Sequence, residues 1–329
     1  MRSAPKACEG RRLRAERAAR APQQAPRRAY ADRLDLFHGV HLMDYEVTAT
    51  VEETLELLAT RENVRLIAGG TDLTLLLADG LVTPSSLIDV SRVAALRGIR
   101  AHAAGLAIGA ATCITEIAAD SRLPACLRQG ARSIGSPQIR NLGTIGGNIV
   151  NASPCGDTLA PLVALDARFV LREKGGSREV SAESFFVAPK KTIVRPRELL
   201  VEIMIDSAHL AGGSAFRMIG KRNAQAISQV NAAVWLAVEK GIIRDARAAV
   251  GSVAPVPLRL TGVERLLRGK DVVALRASAR RDSREALAEI LEAVDQQIKP
   301  ISDVRATLDY RRLVTAALFR DALSEALGD

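Results

Sequence analysis

At 329 residues with 48% hydrophobic content, the chain can bury a sizeable core, and its length suits two or three domains. No apolar run is long enough to span a bilayer, and an aromatic content of 3% argues against a surface of stacking platforms for nucleic acid. The net charge of +9 is unevenly spread: residues 1–42 hold ten Lys/Arg against four Asp/Glu, so +6 of it belongs to one end.

That basic stretch (Arg11-Arg12, Arg14, Arg17, Arg20, Arg27-Arg28) is rich in Ala, Gln and Pro. Asp32, Arg33 and Asp35 interrupt the hydrophobic region that a secretory or twin-arginine signal needs. It reads as a disordered extension ahead of Met43, itself a second candidate start, more readily than as a nucleic-acid arm. Cys8, Cys113, Cys126 and Cys155 lie far apart with no C-x-x-C spacing. They fit reduced thiols in a cytoplasmic protein and offer neither a zinc site nor an iron–sulfur cluster. His38, His41, His102 and His209 are equally scattered, so no metal site is expected.

Patterned sequence starts at Met43. Thr50-Val51-Glu52-Glu53 has the form of a capping box, and Val51, Leu55, Leu57 and Leu58 then give an apolar helical face. Residues 64–68 form a short β-run stopped by Gly69-Gly70. A helix is expected over 72–79, with strands at 87–90 and 106–109. Helices at 114–119 and 124–133 follow, the second with Pro at its start. Beyond an apolar segment at 159–165 come strands at 168–173, 185–187 and 199–205, with Lys190-Lys191 on the loop between the last two.

From Gly212-Gly213 the texture changes. Strands are expected over 215–220, 228–239 and 242–252, the last two joined by a tight Lys240-Gly241 turn. Helices then cover 261–267, 284–296 and 306–327, and in the last of these Leu308, Leu313, Ala316, Ala317 and Leu323 mark the expected buried face. The expected domains are therefore 1–42 (extension), 43–211 (two α/β subdomains split near 105–125) and 212–329 (sheet and helices).

The most informative residues are two glycine stretches about seventy positions apart: Arg65-Leu66-Ile67-Ala68-Gly69-Gly70-Thr71-Asp72-Leu73 and Ile139-Arg140-Asn141-Leu142-Gly143-Thr144-Ile145-Gly146-Gly147-Asn148. Each reads as a strand or buried segment running into a sharp bend whose amides stay uncovered. Either bend alone is commonly no more than a turn. Two converging on one site suit a pyrophosphate, with Thr71 and Thr144 adding hydroxyls. Each charge-assisted hydrogen bond contributes roughly 1.5–3 kcal/mol, so four or five anchor a dinucleotide without a lysine clamp. Neither stretch is a Rossmann or P-loop fingerprint. Asn148 can pair with backbone or a cofactor group. Asp157, nine residues on, is either an acceptor for polyol hydroxyls or an N-cap for the apolar segment after it. Arg217, Lys221 and Arg222 read as solvated surface, and Trp235 as core.

No His-x-Glu pairing, G-x-S-x-G elbow or spaced carboxylate pair supports acid–base catalysis, so no catalytic residue is expected. The chain looks built to hold a redox group that carries its own chemistry. The two glycine stretches, with Pro161–Ala167, Arg197-Glu198-Leu199-Leu200-Val201 and Gly251-Ser252-Val253-Ala254-Pro255-Val256-Pro257, resemble the FAD-binding medium subunit of the molybdenum hydroxylases over roughly residues 43–327. That family includes xanthine dehydrogenase, carbon monoxide dehydrogenase, aldehyde oxidoreductases and 4-hydroxybenzoyl-CoA reductase.

The resemblance implies an α+β fold: a vanillyl-alcohol-oxidase-type FAD-binding domain of two α/β subdomains, then a C-terminal sheet-and-helix domain. Leu66, Ile67, Ala68, Gly69, Gly70, Thr71 and Asp72, with Gly143, Thr144, Ile145, Gly146 and Gly147, would wrap the FAD pyrophosphate and ribityl region. Asn148 and Asp157 would touch its polar middle, and Leu199, Phe216 and Arg217 would approach the flavin ring. It also implies two partners, a large subunit with the molybdenum cofactor and a small subunit with two [2Fe–2S] clusters. These would assemble as a dimer of heterotrimers that passes electrons to NAD⁺, a quinone or another acceptor. A cysteine-bearing insertion after the second glycine loop marks the 4-hydroxybenzoyl-CoA reductase flavoprotein, and this chain runs from Asn148 to Asp157 without one. The xanthine dehydrogenase type is the leading expectation, with carbon monoxide or aldehyde dehydrogenase as alternatives. A stand-alone flavin oxidase and a non-enzymatic assembly module are the rivals of other classes.

Overall fold

The computed structural model describes residues 43–222, 225–280 and 285–328. The basic stretch 1–42, with Cys8, His38 and His41, and position 284 lie outside them. Among the described residues, three larger sheets succeed one another along the chain, with one further two-stranded pair. The first is wholly parallel, in the order β1-β3-β2. It comprises β1 (Asp44–Val47), α1 (Val51–Thr60), β2 (Val64–Ile67), α2 (Leu73–Ala78) and β3 (Ser86–Asp89). Thr50 Oγ1 accepts the Glu53 N–H at 3.1 Å, while the Glu53 carboxylate reaches the Ala49 N–H at 2.8 Å rather than that of Thr50. The box thus caps α1 one residue wider than its usual form. Val51, Leu55 and Leu58 then pack with Ile88, Val93 and Leu96 in a small core that Ala111, Leu199 and Val201, later in the chain, complete.

The second sheet is antiparallel, ordered β4-β5-β10-β6-β7. It begins with β4 (Ile99–His102) and β5 (Gly105–Gly109), so the change of sheet falls between Asp89 and Ile99, ahead of the 105–125 region expected for it. Five helices follow: α3 (Ile114–Ala119), α4 (Ala125–Ser133), α5 (Pro137–Leu142), α6 (Ile145–Asn151) and α7 (Leu159–Ala164). The chain returns through β6 (Arg168–Glu173), β7 (Gly176–Ser181), α8 (Ala182–Phe185), the small pair β8 (Phe186–Ala188) and β9 (Lys191–Thr192), then β10 (Leu199–Asp206) and α9 (Ser207–Leu210). β10 is buried at most positions, as a near-continuous apolar run at the centre of a sheet requires.

Here one expectation is corrected. The second glycine stretch is two short helices, with Gly146-Gly147 inside α6 and not at a bend after a strand. Caps explain it. Ser136 accepts from the Ile139 N–H with Pro137 at the first helical position, and Thr144 accepts from the Gly147 N–H. Two glycines cost a helix roughly 1 kcal/mol each, and close packing offsets this: a Cβ at Gly146 would stand 2.6 Å from the Ala110 carbonyl oxygen.

The third sheet is an antiparallel meander, β11 (Gly213–Gly220), β12 (Ser228–Glu239), β13 (Ile242–Gly251) and β14 (Leu258–Arg259). Lys240 and Gly241, at φ 50° and 77°, make the turn with both central residues left-handed, as the type I′ geometry demands. Alternate residues of β12 serve two cores. Val230, Ala232, Val234 and Leu236 pack under the C-terminal helices, while Ala233 and Trp235 join the core of the second sheet. That double burial fixes the third sheet against the rest. Trp235 is core as expected, its indole N–H bound to the Ala211 carbonyl at 2.8 Å.

The helices are α10 (Thr261–Leu267), α11 (Val272–Arg280), α12 (Glu285–Gln297) and α13 (Leu308–Ala326); α11 has no counterpart in the expected pattern. In α13 the buried face is Arg311, Thr315, Phe319, Ala322, Leu323 and Ala326, whereas Leu308 and Leu313 are exposed. Of the expected stripe only Leu323 is buried. The helix is turned by Arg311, whose guanidinium donates to the carbonyls of Gln229 and Ser252 and to the Asp303 carboxylate, all within 2.8 Å. A buried charge with three partners outranks a partly apolar stripe.

Candidate functional site

The first glycine bend leaves β2 at Ile67 and turns at Gly70, whose φ of +67° a side chain rarely adopts. Thr74 closes the turn by donating both its N–H and its hydroxyl to the Gly70 carbonyl, at 3.0 and 2.7 Å. Among the described residues, the N–H groups of Gly69, Gly70, Thr71 and Asp72 donate no hydrogen bond. Four successive free amides around a left-handed residue make a concave nest of partial positive charge, the backbone form that holds phosphate oxygens.

The second stretch meets the first directly. A Cβ at Gly69 would collide with the Leu142 carbonyl oxygen, and one at Gly143 would stand 3.4 Å from Thr71 Oγ1. From Gly143 to Asn148 its amides, however, are used, except that of Thr144, which donates no hydrogen bond among the described residues. Gly143 N–H donates to Ile139, Ile145 to Thr112, Gly146 to Ala110 and Asn148 to Thr144, while Gly147 donates to Thr144 Oγ1. The two stretches therefore divide the work differently from the symmetrical grip expected. The first supplies four successive free donors, and the second supplies the single N–H of Thr144 and a wall thin enough for the first to approach.

Between them lies a cleft of about 640 Å³, within the range of sites for cofactor-sized ligands. One part is polar, formed by residues 68–72, Thr144, Asn148 and Asn151. Another is apolar, formed by Val90, Leu96, Ala110, Ala111, Ile114, Ile134 and Leu199. Arg65, Lys190 and Asp72 are its charged lining residues. Asn148 is held by its Oδ1, which accepts the Thr158 hydroxyl at 2.6 Å, leaving its amide nitrogen without a partner among the described residues. The arrangement fits a dinucleotide: unsatisfied donors for a diphosphate, an apolar slot for a ring system, and no acid–base pair.

Of the residues expected at the site, Leu66 through Asp72, Gly143, Thr144, Gly146, Gly147, Asn148 and Leu199 line this cleft. Ile145, Asp157, Phe216 and Arg217 do not. Ile145 is wholly buried in the core. Phe216 packs in that same core, with its N–H donating to Gln129 Oε1 at 2.7 Å. Arg217 pairs with Glu325 at 2.7 Å on the surface. Asp157 is buried and accepts from the hydroxyls of Ser228 and Ser133 and from the Asn231 amide. Its burial pushes the carboxyl up to about 6, opposed by those three hydrogen bonds. Ser228 and Asn231 lie on β12 and Ser133 ends α4, so Asp157, in the loop between α6 and α7, ties these helices to the third sheet.

Arg65, Ala110-Ala111, Asn151 and Lys190 were missed as site residues. Lys190-Lys191 after Pro189 was visible as a basic loop, but nothing in the sequence says that this loop returns to the first bend. Among the described residues no group of His, Cys, Asp and Glu is placed to hold a metal ion, and no helix is long and apolar enough to cross a membrane.

A mixed α/β architecture with a nest of free amides in a cleft that is also lined by apolar side chains is that of a dinucleotide-binding protein. Comparison with known proteins agrees. Residues 41–206 match the model of the FAD binding domain in molybdopterin dehydrogenase, and residues 214–326 match that of the CO dehydrogenase flavoprotein C-terminal domain. The carbon monoxide dehydrogenase medium chain of Hydrogenophaga pseudoflava is 31% identical over 288 residues, spanning 86% of this chain and 96% of that one. The xanthine dehydrogenase FAD-binding subunit of Escherichia coli O157:H7 is 31% identical over 291 residues, spanning 86% and 95%. A solved structure of carbon monoxide dehydrogenase from Hydrogenophaga pseudoflava superimposes with a TM-score of 0.78 at 30% identity, covering 86% of this chain and 96% of that one. The chain belongs to the family of FAD-binding subunits of the molybdopterin dehydrogenases, and it is an FAD-dependent oxidoreductase subunit.

Proposed function

We propose that this chain is the electron-transfer subunit of a multi-subunit molybdenum hydroxylase of xanthine dehydrogenase type. It would receive electrons from the [2Fe–2S] clusters of a small partner and deliver them to NAD⁺, while substrate is oxidised at the molybdenum cofactor of a large partner. FAD supplies the chemistry, accepting electrons one at a time and releasing them as a pair. The chain's own residues bind and orient it. The amides of Gly69–Asp72 and the hydroxyl of Thr71 would hold the diphosphate, Asn148 would hold the polar middle, and Leu199 with Ala110 and Ala111 would shield the ring from water. The domains of this reading are 43–211 for FAD and 212–329 for the C-terminal unit, within a cytoplasmic dimer of heterotrimers.

One observation carries the reading: two glycine stretches seventy residues apart meet on one cleft, and one of them offers four unused amides. A second reading, carbon monoxide dehydrogenase, is favoured by an equal 31% identity to a medium chain of that enzyme. The test is co-expression with a molybdenum-cofactor large subunit and a [2Fe–2S] small subunit from the same source. Purified complex should be yellow, and its flavin should bleach when xanthine is added without acceptor and recover with NAD⁺. Bleaching by carbon monoxide and not xanthine selects the second reading. A complex with both partners but no flavin overturns both.

A further inference from the structure

Lys190 stands in the cleft yet belongs to neither glycine stretch. It occupies the turn between β8 and β9 at φ 61°, a left-handed backbone that a β-carbon disfavours. Its N–H donates to the Ala152 carbonyl at 2.9 Å, and Ala152 is itself left-handed, at φ 46°, where it ends α6. Two non-glycine residues in this conformation, bonded to each other, pin the lysine backbone over the end of the helix that carries the second stretch.

The ammonium group is poorly matched by its neighbours. Nζ donates to Asn151 Oδ1 at 2.8 Å but stands 3.7 Å from Asp72 Oδ2, beyond hydrogen-bond reach. That carboxylate oxygen is sealed from solvent and has no hydrogen-bond partner among the described residues. Asp72 closes the first bend and Asn151 closes α6, so the ammonium bridges the two walls of the cleft beside the free amides. Amides carry only partial charge, whereas a diphosphate brings two full negative charges, and Lys190 is the full positive charge next to Asp72.

We propose that Lys190 is a further binding residue of this site, its ammonium leaving Asp72 for an oxygen of the FAD diphosphate and fastening the dinucleotide across both bends. The inference rests on the FAD reading of the cleft. In the empty chain Asp72 holds the lysine in waiting; in the loaded chain the better hydrogen-bond geometry of a phosphate oxygen takes it over. An ion pair made at the cleft mouth is screened by salt, so its contribution shrinks as ionic strength rises.

The test uses the full chain stripped of flavin and titrated with FAD, following quenching of flavin fluorescence at low and high salt. K190Q is expected to bind about tenfold more weakly at low salt, to lose most of the salt dependence, and to melt, when flavin-free, at the wild-type temperature. K190R should recover most of the affinity, and Asp72→Asn, which frees the lysine, should tighten binding. A K190Q affinity and salt dependence equal to wild type would overturn the proposal. So would weakened binding with unchanged salt dependence and a lowered melting temperature, which would make the lysine structural. Wild-type chain that takes up no FAD at all sinks the underlying reading instead.

Discussion

Gly69 is where the two glycine stretches touch main chain to main chain, so one added methyl there tests their convergence. A Cβ at Gly69 would overlap the Leu142 carbonyl oxygen and approach Gly143 Cα to 3.0 Å. Both obstacles are backbone atoms, so no rotamer change relieves the overlap and the walls must separate. Gly69 itself does not require positive φ, which leaves sterics as the cause. Overpacking of this kind costs about 1–3 kcal/mol. At 1.4 kcal/mol per factor of ten, that corresponds to an FAD dissociation constant raised about 5- to 150-fold, if the strain falls wholly on the loaded state. Any part felt by the empty chain appears as a lower melting temperature. Gly176→Ala is the control, because no atom lies within 4 Å of its Cβ position and its φ is ordinary. FAD titration and thermal melting of the stripped chain measure both shares. Gly69→Ala matching the control in both would refute the reasoning, since the contact would then be too loose to shape the cleft.

Asp157 and Arg311 give two further expectations. Burial lifts the Asp157 carboxyl to about 6, so the folded chain keeps its proton to higher pH than the unfolded chain, and stability falls as pH rises through that window. About 2 kcal/mol should disappear between about pH 4.5 and 8. Asp157→Asn should abolish this share, gaining on wild type as pH rises in urea melts of flavin-free chain; parallel pH profiles would contradict the burial argument. Arg311→Met removes a buried guanidinium and leaves two carbonyls and Asp303 without it, which should cost about 3–5 kcal/mol and lower the urea midpoint. Burial raises the Asp303 carboxyl, but the N–H of Arg305, the Arg311 guanidinium and the N–H of Ala306 overcome this and hold it at about 2. Its stabilising share is therefore present above the unfolded value and lost as pH falls toward 2, so the gap between wild type and Arg311→Met should narrow in acid.

The C-terminal meander was legible because its evidence is local. The apolar, β-branched-bearing runs along 228–239 and 242–251 and the Lys240-Gly241 turn between them are all written within a few residues. The helix at 145–151 was not, because glycine composition argues against a helix while the packing of Gly146 on Ala110, thirty-six residues earlier, argues for it. Capping by Ser136 and Thr144 was the local signal that went unread. The face of α13 escaped for a related reason. Its apolar residues ring the helix without a strong stripe, and the turn of the helix is decided by Arg311 reaching the carbonyls of Gln229 on β12 and of Ser252 just past β13.

By itself, the amino-acid order marked Gly69-Gly70 as a sharp bend after a β-run and Lys240-Gly241 as a tight turn, and it located most of the strands; these follow from the chemistry of single residues and their immediate neighbours. Tertiary structure alone decided which bare backbone keeps free amides, that Asp157 ties the helices to the third sheet and does not line the cleft, and that a lysine from a distant hairpin faces the first bend. Hydrogen-bond satisfaction and burial are properties of pairs brought together by folding, and a chain read in order contains only half of each pair at a time.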